Sequence, residues 1–281
     1  AIATGVGLQQ KIRDKVVAFN GHVTISNYDS NSSQESGKPI SKNQDFYPEF
    51  TTVEGVNHVQ AVASKFGVIR TETDFEGAYL KGVGADYNWD YFAEFLVEGR
   101  LPDYTNKRNE DVLISEYLAN RLDFKVGETF QMIFAKDDPE KLPNIITYQV
   151  VGLFNSGFQD LDATYLIGDI RHLQRINRWQ SDEIGNFEVF IDDYNQLEEK
   201  GLEIYHNTPS TFNTETITAK YYSIFEWIKI FDKNIIGIIG IMILIAGINM
   251  ITALLVLILE RTQMIGILKA LGSSNWSIRK L

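Results

Sequence analysis

The chain has 281 residues, no cysteine and a formal net charge of −11, with 44% apolar and 22% charged residues. That length buries one or two ordinary cores, and the composition excludes a disordered chain. The lack of cysteine excludes disulfide, zinc–thiolate and thiol-nucleophile chemistry, and the acidic balance argues against a nucleic-acid surface.

Charge is unevenly placed. Residues 1–234 carry 22 Lys+Arg and 36 Asp+Glu, whereas residues 235–281 carry Arg261, Lys269, Arg279 and Lys280 against Glu260 alone.

At the start, Ala1–Leu8 reads as the last turns of a helix, and Lys11–Phe19 continues it with Ile12, Val16 and Phe19 on one face. Residues 1–19 are therefore expected to be the end of an upstream membrane or stalk helix. The sequence reads as a fragment, lacking an upstream span and material beyond Leu281. Asn20-Gly21 suits a left-handed helix end, and His22–Ser26 reads as a β-branched strand. Tyr28–Asn43 is Ser/Asn/Gly-rich and reads as a disordered loop, with a formal sequon at Asn31-Ser32-Ser33. Val53–His58 suggests a turn, and Val59–Val68 and Gly77–Val83 suggest strands.

The rhythm changes from about Gly84 to Asp182. Val112–Ile114, Thr129–Ala135 and Ile145–Phe154 read as strands, the last two around the breaker Asp137-Asp138-Pro139. Ser115 is placed to cap a helix running to Leu122, with Glu116 in its first turn. Ile170–Trp179 reads as helix, Phe187–Ile191 as strand and Gln196–Ile204 as helix. This mixed order predicts an α+β domain of two subdomains.

Ile235–Leu259 is a run of 25 residues with no charge, 16 of them Ile, Leu or Val. A helix of that length reaches roughly 37 Å, enough for a hydrocarbon core of about 30 Å. Its aliphatic residues favour insertion by on the order of 5–10 kcal/mol. The competing reading is a buried core helix, but those rarely run past about 20 residues without a charge. Net positive charge follows the span, while Tyr221, Tyr222, Phe225, Trp227 and Phe231 crowd the preceding side. Both features put the large domain outside and the tail inside. Tyr221, Ile224, Phe225, Ile228 and Phe231 recur at helical spacing, so 216–259 reads as a stalk running into the span or as an interfacial helix before it.

Gly240 and Gly247 stand seven apart, as do Ala246 and Ala253, and small residues at that spacing admit a second helix. Asn249 either faces that partner or bonds to its own backbone. In 260–281, Met264, Ile267, Leu268 and Leu271 form an apolar face, and Gly272 is placed to end the helix. Ser273 or Ser274 is placed to cap another helix near Trp276. Such a segment lies on lipid or docks in a partner's groove.

Catalytic motifs are missing. The sequence has no G-x-x-x-x-G-K-[ST], G-x-S-x-G or H-E-x-x-H. Gly5-Val6-Gly7 and Gly82-Val83-Gly84 are bare G-x-G fragments. His22, His58, His172 and His206 are scattered, and Asp160 and Asp162 read as solvated loop carboxylates rather than a paired acid and base.

Glu260-Arg261-Thr262 through Gly266-Ile267-Leu268-Lys269-Ala270-Leu271-Gly272, straight after a span, resembles the coupling-helix signature of MacB/FtsX-like ABC transporter permeases. Gly7–Ile25, Gly77–Asp86, Asp111–Gly127 and Gly152–Phe158 resemble segments of lipoprotein-releasing permeases of the LolC/LolE type. The resemblance implies a MacB-like periplasmic core of two subdomains, a membrane-proximal one of 20–83 with 183–215 and an inserted one of 84–182, on stalk and transmembrane helices in the inner membrane, with a short cytoplasmic coupling helix. It implies a dimer with a second permease, surrounding lipid, lipoprotein as cargo and a separate ABC ATPase holding ATP and Mg; this chain itself binds no cofactor and no nucleic acid. Glu260, Arg261, Gly266, Lys269, Ala270, Leu271 and Gly272 fit the coupling motif. Met264 departs from it, since many members carry an acidic residue there, and an apolar contact is the expected replacement. Three functions follow: a lipoprotein-releasing permease, a peptide or drug exporter or wall-hydrolase regulator of the same family, or a membrane-anchored sensor or adhesin.

Overall fold

The computed structural model describes residues 2–28, 35–71, 74–136 and 140–278. By compactness the chain divides into residues 7–222 and residues 1–6 with 223–281.

Helix α1 (Ile2–Asn20) stops where Gly21 takes φ +69°, and a Cβ there would meet Glu188 Cβ at 3.0 Å. Glycine alone accepts both demands without strain. The chain turns into β1 (Val23–Asn27), whose Val23 and Ile25 are fully buried. The expected loop at 28–43 includes the short strand β2 (Ile40–Ser41), and Ser36 is held by Ser64 through two 2.8 Å hydrogen bonds. Residues 29–34, with the sequon, lie outside the described residues.

The turn expected at 53–58 gives way early to one long strand, β3 (Val56–Arg70), paired with β4 (Phe75–Val83) over nine residue pairs. After two single 3₁₀ turns come β5 (Leu96–Gly99) and β6 (Asp111–Ser115). Ser115 caps α2 (Glu116–Leu122), its Oγ accepting from Leu118 N at 3.1 Å. Then follow β7 (Thr129–Phe134), β8 (Asn144–Phe154), α3 (Gln159–Asp162), β9 (Tyr165–Asp169) and α4 (Ile170–Asn177). The breaker at 137–139 lies outside the described residues. Gly82 lets α4 lie against β4, since a Cβ would meet Ile170 Cα at 2.7 Å. The order closes with β10 (Glu183–Ile184), β11 (Asn186–Ile191), α5 (Leu197–His206), β12 (Phe212–Thr216) and α6 (Ile217–Lys220).

Among the described residues ten strands form one mixed sheet, ordered β12-β1-β11-β3-β4-β9-β6-β8-β5, with β7 pairing both β3 and β8. Strands from 20–83 and 183–216 fill one end of that path, and strands from 84–182 fill the other. The two stretches meet where β4 pairs in parallel with β9 and where the end of β3 pairs antiparallel with β7. The end of α1 is set into an aromatic core beside this seam: the Phe19 ring lies 5.1 Å from Phe92, 5.6 Å from Phe154 and 6.2 Å from Phe95. Burying such a ring is worth roughly 1.5–3 kcal/mol, so α1 is held by packing as well as by its turn.

The second unit is dominated by α7 (Tyr222–Ala270), a helix of 49 residues and roughly 73 Å. Its stretch Lys233–Ala270 is long and apolar enough to cross a membrane, and none of its most apolar window is buried. The sequence suggested a separate short helix after the span. Instead, Glu260–Ala270 is the last three turns of α7, because nothing between Leu259 and Leu271 breaks a helix. Gly272 ends it at φ +87°, with Ser273 N bonded to Leu268 O and Gly272 N to Lys269 O, both at 3.0 Å. That is the Schellman pattern, which satisfies the last carbonyls. Helix α8 (Asn275–Ile278) follows, with Ser274 Oγ accepting from Ser277 N at 3.3 Å.

Candidate functional site: a charged joint and a long lever

Two strands carry a charge where their neighbours are apolar. Lys81 sits on β4 and Glu188 on β11, with β3 between them. Their side chains are only 3% and 5% exposed, and Lys81 Nζ lies 2.7 Å and 2.9 Å from the two Glu188 carboxylate oxygens. Gln60, on β3, donates from Nε2 to Glu188 Oε2 at 2.9 Å and accepts from Asn88 N at 3.0 Å. Lys81 also donates to the Phe19 carbonyl, the last turn of α1. A cation at a helix C-terminus is favoured by the dipole and by the unpaired carbonyls there.

Asn20 extends the network. Its Nδ2 donates to Val16 O at 3.1 Å, and its Oδ1 accepts from Tyr221 Oη at 2.9 Å and from Lys220 Nζ at 3.4 Å. Tyr221 also shares a hydrogen bond with Tyr165, and burial pushes the Tyr221 phenol up to about 12. Lys220 is exposed by surface area, yet the protein packed around its ammonium lowers its pKa; Glu188 opposes that shift and Lys81 adds to it. Phe19, Asn20, Lys81, Tyr165, Glu188 and Lys220 line one cavity of about 60 Å³. The last residues of α1 and the residues just before α7 thus share one set of polar contacts with the sheet.

A second tie lies alongside. His22 N donates to Val189 O at 2.8 Å, Ile217 N donates to His22 O at 2.9 Å, and His22 Nδ1 accepts from Ile191 N at 3.1 Å. Burial lowers the His22 pKa to about 4, which keeps the ring neutral as that acceptor role requires.

The residues singled out from the sequence fall in the second unit. Glu260, Arg261, Met264, Gly266, Lys269 and Ala270 are on the last turns of α7, and Leu271 and Gly272 form its end. Met264, Ile267 and Leu271 are all exposed. Gly240 and Gly247 share one face, where an added Cβ meets nothing within 4 Å. Ala246 and Ala253 share a different face, roughly 120° round, with Asn249 nearer to them than to the glycines. Among the described residues no group of His, Asp or Glu could hold a metal ion. Asp160 and Asp162 lie in α3 and not in the expected loop, and Asp162 is buried, not solvated, accepting from Ser156 N at 3.0 Å in a structural contact. Lys81 and Glu188 escaped the sequence reading, although a lone charge inside each of two apolar strands (AYLKGV, NFEVFI) is a signal for a buried pair.

Two outcomes are expected. Glu188→Leu strands a buried ammonium and should cost about 3–5 kcal/mol in unfolding measurements on the solubilised protein; a cost under about 1 kcal/mol would remove the joint from the account. For His22, the folded pKa lies below the unfolded one, so its stabilising effect is complete above about pH 6.5 and is lost as pH falls toward 4. The loss amounts to at most about 3 kcal/mol, and His22→Gln should flatten the pH slope of the melting temperature in that window. An unchanged slope would show that His22 is not held neutral.

Comparison with known proteins shows the family these parts belong to. Residues 1–205 match the family model of the MacB-like periplasmic core domain, and residues 236–281 match that of the FtsX-like permease C-terminal region. The lipoprotein-releasing system transmembrane protein LolC of Xylella fastidiosa (strain Temecula1) is 19% identical over 286 residues, covering 100% of this chain and 66% of that protein. The chain thus spans about two thirds of the length of that relative. The periplasmic region of MacB from Actinobacillus actinomycetemcomitans is 17% identical, covering 74% of this chain and 95% of that one, with a TM-score of 0.47. The extracellular domain of the noncanonic ABC-type transporter YknZ from Gram-positive bacteria is 15% identical, covering 69% and 99%, with a TM-score of 0.45. With well over half its length under one family model, the chain belongs to the MacB/FtsX-like permease family, as a MacB-like periplasmic core domain continued by a helix long enough to cross a membrane.

Proposed function

We propose that the chain is part of the permease subunit of an ABC transporter, which turns ATP hydrolysis by a separate cytoplasmic subunit into movement of the periplasmic domain and so releases lipoprotein from the inner membrane. The observation that carries this reading is α7, one unbroken helix from Tyr222 to Ala270. A continuous helix passes tilt, rotation or thrust along its whole length, whereas a flexible linker would absorb it. One end follows directly on the residues of the charged joint, and the other holds Glu260, Arg261, Met264, Gly266 and Lys269, the segment matched by the FtsX-like model. The basic flank after the span favours a cytoplasmic position for that end. There, the exposed apolar side chains of Met264, Ile267 and Leu271 suit a groove on the ATPase. The faces carrying Gly240 with Gly247, and Ala246 with Ala253, suit close approach by a second permease. Lipoprotein is the cargo favoured by the match to LolC over the whole chain.

Affinity purification of the full-length protein from membranes tests this reading. An ABC ATPase and bound lipoprotein are expected to copurify. Gly266→Trp should cut ATP-driven lipoprotein release at least about tenfold while leaving the periplasmic domain folded. Absence of any ATPase, or unfolding of the periplasmic domain by Gly266→Trp, would refute it.

A further inference from the structure

The cavity at the joint carries one positive charge more than it pairs. It measures about 60 Å³, room for about four waters or for one compact oxyanion. Both carboxylates in its lining are engaged: Glu188 by Lys81 at 2.7 Å and 2.9 Å, and Glu35 by Lys65 at 3.0 Å. Lys220 is left over. The residue is exposed as a whole, yet it lines the cavity. Among the described residues its ammonium reaches only neutral groups, Asn20 Oδ1 at 3.4 Å and the Tyr221 ring at 5.7 Å. The first is long for an N–H···O bond. Glu188 and Glu215 act on it without forming an ion pair.

Hydrogen-bond accounting agrees with the charge. The pairing of β3 with β4 and β11 puts Ser64, Lys81, Asn186 and Glu188 on one face of the sheet. Among the described residues the Ser64 hydroxyl and the Asn186 amide have no hydrogen-bond partner. Ser36 Oγ accepts from Ser64 N at 2.8 Å and keeps its own proton to give. Free donors thus converge from β3, β11, the segment before β2 and the end of α6, while the charged acceptors are already engaged.

We propose that this cavity is a binding site for a phosphate group, held by the Lys220 ammonium and by the donors of Ser36, Ser64 and Asn186. A tetrahedral oxyanion offers acceptors in several directions, as this set of donors requires, whereas a chloride offers one centre and a carboxylate two oxygens in a plane. The bound charge pairs Lys220 and leaves Lys81 and Glu188 to each other, so no buried charge is stranded. Once bound, the group ties the segment at Ser36, the sheet and the end of α6 together. The site does not depend on the transport function proposed above.

Thermal unfolding of the full-length protein in a phosphate-free, uncharged detergent tests it, with neither ATPase nor cargo present. Its failure is therefore distinct from a failed copurification. Inorganic phosphate is titrated against potassium chloride of equal ionic strength. The melting temperature should rise saturably, by at least about 2 °C at ten times the half-saturating concentration. Lys220→Met keeps the apolar stem and removes the charge, and should abolish that rise. Lys220→Gln carries the same expectation, and Ser64→Ala should weaken the rise. A second titration with phosphatidylglycerol in the same detergent separates the sources. Saturation by inorganic phosphate marks a free anion, and saturation by the lipid alone marks a headgroup; either supports the site when the Lys220 variants lose it. No saturable rise from either probe would overturn the proposal. So would an equal rise in the Lys220 variants, the mark of an adventitious ion only.

Discussion

A carboxylate and an ammonium lie together inside the sheet, and neither tolerates being there alone. Removing one charge from such a pair costs several times what an exposed ion pair contributes. This constraint fixes more than two side chains. The pair spans β3 from β4 to β11, Glu188 takes Gln60 as its next partner, and the Lys81 ammonium also holds the Phe19 carbonyl of α1. Helix α1 therefore ends at a charge inside the sheet. Phe19 in the aromatic core and Gly21 at its left-handed turn act at the same point. Packing, backbone geometry and electrostatics agree on where this helix stops.

The chain's exit from the same domain is held at the same place. Asn20 takes Tyr221 and Lys220 on one amide oxygen, and Ile217 N bonds to His22 O. Beyond Tyr221 the character of the chain changes from dense contact to a long, exposed, apolar helix. Such a helix gains nothing from water and is matched to lipid. The domain thus concentrates its attachments on a few residues and leaves the rod after them uninterrupted.

Most of this was legible from period alone. Strands β1, β3, β4, β6, β7, β8 and β11, and helices α1, α2, α4 and α5, follow apolar patterns within a residue or a few of the expected limits. The Ser115 cap and the Gly272 stop are local chemistry, readable from one residue and its neighbours. The resemblance to MacB/FtsX-like permeases agrees with the family matches. Strands β5, β9 and β12 were not legible. Tyr165–Asp169 is a short buried run whose strand character comes from lying between β4 and β6, and five residues carry no period to show it. The continuation of α7 past Leu259 is obscured by composition: polar residues appear there, and a change of composition marks no helix end by itself. Lys81 and Glu188 stand 107 residues apart, so that their pairing is purely tertiary. Each showed only as an isolated charge in an apolar strand.

Hydrogen exchange at single-residue resolution tests the central claim, that both ends of the periplasmic domain are held in one joint with its sheet. The amides of Gly21, His22, Ile217 and Tyr221 should exchange as slowly as those of β3 and β11, in one cooperative unit. If the Ile217 and Tyr221 amides instead opened independently and orders of magnitude faster than the sheet, the joint would not exist as described.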